Sequence, residues 1–483
     1  MKKCTIGRPF LWVVGICLTS FSAQAVAEQK PNVIYLLADQ WRGSALGYAG
    51  DPNVKTPFLD GLAAESINFT NAVSVSPVCT PYRAALMTGR YPTTTGMFMN
   101  DLYLPDDELC MAELFRDEGY ATGYIGKWHL DGHGRDTYIP VERRQGFDFW
   151  RAAECDHTYD KSHYYAGTSD EKLQWEGYDT FAQTDEAERF IRGRSDADEP
   201  FLLMVAYGTP HFPHDTAPEK YKALYSRDTI ELAPNVSEEQ EKRARRELVG
   251  YYGHCTALDE SVGRLLKTLD ETGLADNTIL VFTSDHGEMM GSQGVRPSRK
   301  QQPWDESIRV PFLLRYPEKY GRKGKVIQAP INTPDILPTL LSMSGLRIPE
   351  TVEGASMETF ISGKRVGPDR AALVMSVYPF AGSFGSKEFR GIRTSRYTYV
   401  RDADAPWLLY DNKTDPYQMT NLIDLPAHAA LQTSLEEKLQ GRLRAIGDDF
   451  KPGTEYLAKW DYHVNERGTI PYHGEFSVQT PLR

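Results

Sequence analysis

Three stretches of the chain are apolar at nearly every position, and each ends on residues that carry chemistry. Val33-Ile34-Tyr35-Leu36-Leu37-Ala38 runs into Asp39-Gln40, residues 201–206 run towards Thr209-Pro210-His211, and residues 278–282 lead to Ser284-Asp285-His286-Gly287. Continuous apolar runs of this length, lacking the alternation of a half-exposed strand, predict strands buried on both faces. Helix-like segments between them predict crossover helices, hence an α/β fold with a large, mixed but mostly parallel sheet flanked by helices. Ligands in open α/β sheets bind beyond the carboxyl ends of the strands, so three polar ends point to one shared site.

Residues 76–90 predict a helix of a particular kind. Pro81 suits its first turn, Ala84 to Met87 propagate it and Gly89 suits the position just past its end. Cys79 then lies at the helix N-terminus, with Arg83 on the same face one turn on. Unpaired backbone N–H groups and the positive dipole end favour an anion, an oxyanion or a thiolate there. A buried small hydrophobe is the plainer reading of an isolated cysteine. Further on, residues 371–376, 391–394, 397–400 and 407–410 read as short strands, followed by a helix-like stretch at 427–446. A smaller C-terminal antiparallel α+β subdomain over 366–483 is expected after a main domain over 28–365, with residues 451–483 as a tail without clear pattern.

The N-terminus changes the picture of location. Lys2, Lys3 and Arg8, an apolar core at 10–18 and small residues at Ala23, Ala25 and Ala27 form an export signal, so residues 1–27 are set apart from the fold. That core is short of the ~20 residues needed to span a bilayer, and no later segment reaches that length. A periplasmic or secreted protein with no membrane span is expected. Composition is globular: of 483 residues, 41% are hydrophobic, 25% charged and 11% aromatic, which excludes a disordered or low-complexity chain. A formal charge of −12 argues against a nucleic-acid partner. It still allows an anionic substrate if cations are concentrated in one pocket. Cys79, Cys110, Cys155 and Cys255 remain beyond the signal; four thiols allow two disulfides, but their spacing is neither a disulfide framework nor a zinc pattern.

Cys79-Thr80-Pro81-Tyr82-Arg83-Ala84 with Thr88-Gly89-Arg90 resembles the signature of the type I sulfatases, of the alkaline phosphatase-like superfamily. Further blocks follow in that family's order: Asp39-Gln40, residues 56–63, Gly126-Lys127-Trp128-His129-Leu130, Pro210-His211-Phe212-Pro213, Ser284-Asp285-His286-Gly287, Lys300 with residues 304–311, and residues 409–411 with Asp415-Pro416. The resemblance implies that a formylglycine-generating enzyme converts Cys79 to formylglycine, whose hydrate is the nucleophile. One geminal hydroxyl attacks sulfur, the alcohol departs, and the other hydroxyl expels sulfate. Arg83 and Lys127 then hold the nucleophile and sulfate, as fixed cations suited to an oxyanion. His129 bonds the diol and helps take its proton; His211 and Lys300 contact the bridging side. An imidazole that titrates near neutrality makes His211 the expected general acid.

Asp39, Gln40, Asp285 and His286 match the family's metal positions. Carboxylate and amide oxygens suit one hard divalent cation, Ca²⁺ ahead of Mg²⁺. His286 stands where the common pattern has asparagine; it softens the site as a ligand or lies just outside the ligand shell. Between the catalytic blocks, Arg135, residues 142–150 and residues 157–165 mix aromatic, Arg and His side chains. They read either as a platform for sugar faces and anionic groups or as an insertion with its own small core. Arg135 and His163 are candidate substrate contacts, and His214 is open between substrate contact and loop residue. An exported sulfatase acting on a sulfated carbohydrate, resembling bacterial polysaccharide sulfatases, is the leading expectation. A phosphonate or phosphate ester hydrolase, a catalytically silent glycan-binding protein, and catalysis by unmodified Cys79 are the alternatives.

Overall fold

The three apolar runs are neighbouring parallel strands, joined by a fourth. In the computed structural model, which describes residues 1–5, 7, 29–364, 370–381, 385–473 and 478–481, they are β1 (Asn32–Asp39), β3 (Phe201–Pro210) and β4 (Thr278–Ser284). The fourth is β2 (Ala121–Lys127). Most of the export signal and the expected boundary at residue 365 lie outside the described residues. β1 pairs in parallel with β4 on one side and with β3 on the other, and β2 pairs in parallel with β3. Every residue of these four strands is buried, which is why the runs are apolar throughout. Val33, Tyr35 and Leu37 enter one core, and Ile34, Leu36 and Ala38 enter the other.

Six shorter strands complete a ten-stranded sheet. Phe312–Arg315, Ile67–Phe69 and Lys325–Ile327 continue beyond β4, the first of them antiparallel. Phe149–Ala153, His163–Ala166 and Leu173–Gln174 continue beyond β2. Helix α1 (Cys79–Thr88) covers one face, and α2 (Glu238–Glu271) covers the other through Leu248, Tyr252, Cys255, Leu258, Val262, Leu265 and Leu269. That three-and-four spacing is a helix stripe facing a core. The architecture is thus mixed α/β with a large, mostly parallel sheet, as expected.

β2 escaped the reading of the sequence because Thr122, Gly123 and Gly126 interrupt its apolar run. The structure supplies the reason for Gly126: its φ is +100°, and a Cβ there would lie 2.1 Å from the Ala206 carbonyl oxygen on β3. The segment at 147–150 also differs from a sugar platform. Phe147 and Trp150 are buried and pack with Tyr124 and Trp128 at ring separations of 5.0 to 6.0 Å. Arg144 is buried and donates to the Ile139 and Gly167 carbonyls, while Arg143 pairs with Asp131. These side chains build structure.

The C-terminal strands Ala372–Ser376, Phe389–Arg393, Tyr397–Arg401 and Pro406–Asp411 form a four-stranded antiparallel sheet in sequence order. The helix Ala429–Ala445 lies on it through Leu435, Leu439 and Leu443, one turn apart. A short helix, Gly453–Trp460, follows where the sequence showed no pattern, and the chain returns so that Tyr103 N–H donates to Gln479 O.

Candidate active site

All four parallel strands deliver their polar ends to one place, and α1 points its N-terminus there. Cys79 is the first residue of α1, and Gly89, with a φ of +66°, terminates the helix by donating to Ala85 O. Cys79 is 1% exposed. Its Sγ lies 3.6 Å from Lys127 Nζ, 3.4 Å from Lys300 Nζ and 3.4 Å from His286 Nε2. Burial and Asp39 act to raise the thiol pKa, yet Lys127, Lys300 and His286 hold it well below the ordinary value. An atom bound to Cβ at this position is therefore ringed by nitrogen cations and donors, the environment of an activated nucleophile.

Behind it stand two buried carboxylates. Asp39 Oδ2 accepts from Lys127 Nζ at 2.6 Å and lies 3.6 Å from Arg83 Nη2. Asp285 Oδ2 accepts from Arg83 Nη2 at 3.2 Å, and Arg83 Nη1 is fixed by the Lys127 carbonyl at 2.6 Å. His286 Nδ1 donates to the Gly287 carbonyl at 3.1 Å, and Nε2 faces Asp39 Oδ1 at 3.6 Å and Asp285 Oδ1 at 3.5 Å; burial acts to lower the His286 pKa, but the Asp285 charge raises it. Burial and then the Asp39 charge raise the Asp285 pKa, the mark of like charges held together. One donor atom each from Asp39, Asp285, His286 and Cys79 falls within 4.8 Å of the others. Gln40, at a φ of +67°, adds an amide whose Nε2 donates to Glu288 Oε2; Glu288 only accepts, so Oε1 is turned the other way, 3.1 Å from Lys300 Nζ. Two carboxylates and an imidazole nitrogen gathered within 4.8 Å, with the Gln40 amide on the residue next to Asp39, fit a divalent cation. Gly287 fixes the chain beyond His286, since a Cβ there would meet Glu306 O at 1.9 Å.

Three histidines, His129, His157 and His211, face the same cavity of about 230 Å³, which Cys79, Lys127, Arg135 and Lys300 also line. His129, at a φ of +59°, has its Nε2 3.0 Å from Asp101 Oδ1, and its buried Nδ1 has no hydrogen-bond partner among the described residues. Burial acts to raise the Asp101 pKa, but Arg135, in a two-pronged contact at 2.7 and 2.8 Å, and His129 hold it well below the usual range. His129 Nε2 is therefore the donor, which leaves Nδ1 as a free acceptor. His211 is the reverse: Nδ1 donates to Phe212 O at 2.7 Å, and Nε2 accepts from Lys300 Nζ at 2.9 Å, because an ammonium can only donate. Burial, Lys300 and His157 hold the His211 pKa well below its ordinary value.

The profile of the sulfatase family matches residues 31–346, and that of the N-sulphoglucosamine sulphohydrolase C-terminal region matches residues 299–445. The chain belongs to the sulfatase family. It is a sulfuric ester hydrolase by that membership. The ulvan-active sulfatase of Formosa agariphila is 52% identical over 491 residues, covering 99% of this chain and 96% of the relative. Among solved structures, a protein in complex with its substrate D-glucosamine-2-N,6-O-disulfate is 25% identical with a TM-score of 0.72, covering 88% of this chain and 99% of that one. The phosphonate monoester hydrolase of Agrobacterium radiobacter is also 25% identical, with a TM-score of 0.70 and coverage of 86% and 96%. This sulfatase shares the alkaline phosphatase-like fold of those neighbours.

In this sulfatase Cys79, Arg83, Lys127, His129, His211 and Lys300 come together with Asp39, Gln40, Asp285 and His286, as the motif blocks imply. Arg135 reaches the cavity wall, stacked at 3.8 Å on Tyr472. His163 and His214 do not reach it. His163 is buried against Asp156 at 2.6 Å, lining a different cavity behind β2, and His214 is buried with Nδ1 3.2 Å from Glu247. Reading the sequence missed Asp101 and Glu288, and it named His157 only as the start of the 157–165 stretch, not as a residue of the cavity wall. Asp101 and His157 stand in no motif. Glu288 carried one signal, an acid two residues beyond the metal-type pair Asp285-His286. Among the described residues no helix is long and apolar enough to cross a membrane.

Proposed function

We propose that the protein is an exported, calcium- and formylglycine-dependent sulfatase that hydrolyses O-sulfate esters of a sulfated carbohydrate and releases inorganic sulfate. The observation that carries this reading is the ring of Lys127, Lys300 and His286 at 3.4 to 3.6 Å around Cys79 Sγ, beside a buried carboxylate pair. The ulvan-active relative and the neighbour solved with a disulfated glucosamine support the carbohydrate class. Export rests on residues 1–27, and a main domain over 28–365 followed by a subdomain over 366–483 is the organisation we assign. Formylglycine at position 79, made by a formylglycine-generating enzyme, supplies the oxygen nucleophile, and a cation held by Asp39, Gln40, Asp285 and His286 supplies charge neutralisation. Ca²⁺ suits two carboxylates and an amide better than Mg²⁺, which demands stricter geometry.

The chain's own residues do the rest. Arg83, Lys127 and Lys300 hold the anionic ester in a cavity where their charges are little screened. His129, tethered by Asp101, offers Nδ1 as a proton acceptor beside position 79. His211 and Lys300 serve the leaving oxygen: Lys300 already donates to His211 Nε2, and the charge of a bound ester lifts the His211 pKa so that the imidazole takes and delivers the proton. A second reading, a phosphonate or phosphate ester hydrolase, is favoured by the likeness to the phosphonate monoester hydrolase. A silent glycan-binding protein has no need of the cation ring. The test is to co-express the mature chain with a formylglycine-generating enzyme, verify the modified peptide by mass, and quantify sulfate and phosphate from sulfated saccharides and phosphoesters. Sulfate from one positional isomer is expected; phosphate alone would replace the reading with the second one.

A further inference from the structure

We propose that His157 is a positioning residue of the ester pocket, its ring face fixing His211 and its Nε2 fixing the Lys127 ammonium. His157 follows the strand Phe149–Ala153 and is half-buried at the cavity wall. Its ring lies parallel to that of His211, with centroids 4.1 Å apart and planes 5° apart. The Phe212 ring also packs on His211, with centroids 4.2 Å apart and planes 26° apart, and lies 6.4 Å from the His157 ring. His211 thus has ring contacts with both His157 and Phe212, and its hydrogen bond to Phe212 O fixes rotation within the plane. In this orientation Nε2 meets Lys300 Nζ at 2.9 Å.

The second contact has a forced polarity. His157 Nε2 lies 3.4 Å from Lys127 Nζ, and an ammonium has no lone pair, so the imidazole accepts and is neutral. Burial and then the Lys127 charge hold the His157 pKa well below its ordinary value, which agrees. Lys127 then spends its three protons on Asp39 at 2.6 Å, His157 at 3.4 Å and the atom at position 79, now Sγ at 3.6 Å. With two protons occupied, the third is aimed at the reacting centre. One side chain therefore ties the group serving the leaving oxygen, just past the end of β3, to the cation serving the nucleophile, at the end of β2. Such pre-orientation is where enzymes gain rate without new charge.

The inference rests on the sulfatase reading for what the ring stack does, and the experiment separates the two. His157→Ala and His157→Phe are prepared with formylglycine conversion verified by mass and folding by thermal midpoint. Each is assayed on an ulvan oligosaccharide and on 4-nitrophenyl sulfate, and inorganic sulfate binding is measured by calorimetry. His157→Ala is expected to lose about tenfold or more in kcat on the sugar ester, a part of what general acid catalysis contributes. It should lose much less on the nitrophenyl ester, whose leaving group needs little protonation. His157→Phe keeps the ring face and is expected to recover most of the sugar kcat, yet to bind sulfate roughly fivefold more weakly, the worth of one buried hydrogen bond. Values for both variants within twofold of the unsubstituted protein would overturn the proposal. So would equal losses on both esters that His157→Phe does not repair, since the ring would then be structural. If the unsubstituted protein cleaves neither ester, the sulfatase reading has failed, and the sulfate-binding measurement still decides the Lys127 contact.

Discussion

Replacing Glu288 by glutamine changes one atom at a position 0% exposed, and its consequence can be worked from four hydrogen bonds. Glu288 Oε1 accepts from the backbone N–H groups of Met290 at 3.0 Å, Ser298 at 2.9 Å and Arg299 at 3.3 Å, which holds the loop carrying Lys300. Its Oε2 accepts from Gln40 Nε2. In Glu288→Gln the new amide keeps its oxygen on the three backbone donors, so its NH₂ confronts the NH₂ of Gln40. Two buried donors face to face cost about 1–3 kcal/mol. Flipping Gln40 only moves the clash, because Nε2 would then confront the Lys300 ammonium from which Oε1 accepts, so either way the amide is displaced beside the cation site. An orienting partner of a metal ligand is worth roughly 10–100-fold in affinity. That range corresponds to about 1.4–2.7 kcal/mol and agrees with the donor clash. The assay is metal content by mass spectrometry after equilibration against a graded series of chelator-buffered Ca²⁺, with the thermal midpoint of the metal-free protein as control. Half-saturation unchanged within twofold, with a normal midpoint, would refute the reasoning. Glu288→Ala should in addition destabilise the metal-free protein by about 3 kcal/mol or more, because three backbone donors lose their acceptor.

Three further outcomes are expected. Cys79→Ala should lower sulfate release about a thousandfold or more, read by ion chromatography, and full activity would remove Cys79 as nucleophile. Asp101→Asn should cut kcat about tenfold or more, because the amide oxygen that still accepts from His129 Nε2 and Arg135 Nε has lost its charge while the NH₂ confronts Arg135 Nη2, which loosens the tether of His129; an unchanged kcat would show that the Asp101 charge does not hold His129 for proton transfer. Asp179, buried at the start of the helix Asp179–Arg192, has its carboxyl raised to about 7 by burial, so the folded chain binds more protons than the unfolded one between about pH 4 and 7. Stability should fall as pH rises through that window, by up to about 4 kcal/mol from this group, and Asp179→Asn should flatten the slope between pH 5 and 8 in chemical denaturation. An identical slope in the variant would refute it.

Local rules carried the sequence a long way. A helix cap such as Gly89, a run such as 33–38 that is apolar at both parities, and a polar residue where the run stops are all encoded within a few positions. They were enough to anticipate α1 with Cys79 at its head, three central strands, the parallel sheet and the four short C-terminal strands. The motif blocks then named ten residues that the fold gathers on and behind the wall of one cavity. Tertiary structure decided what no local rule encodes. β2 is a strand because it pairs between β3 and Phe149–Ala153, and Gly126, which argues locally against a strand, is there because Ala206 O leaves no room for a side chain. Phe147 and Trp150 turned inward to Tyr124 and Trp128, and His163 and His214 found carboxylates away from the cavity. Asp101 lies 28 residues from His129, and Glu288 lies 248 from Gln40. Such pairings depend on the crossing of parallel strands, which brings distant chain segments to one sheet edge, and their energy exists only once that edge is assembled.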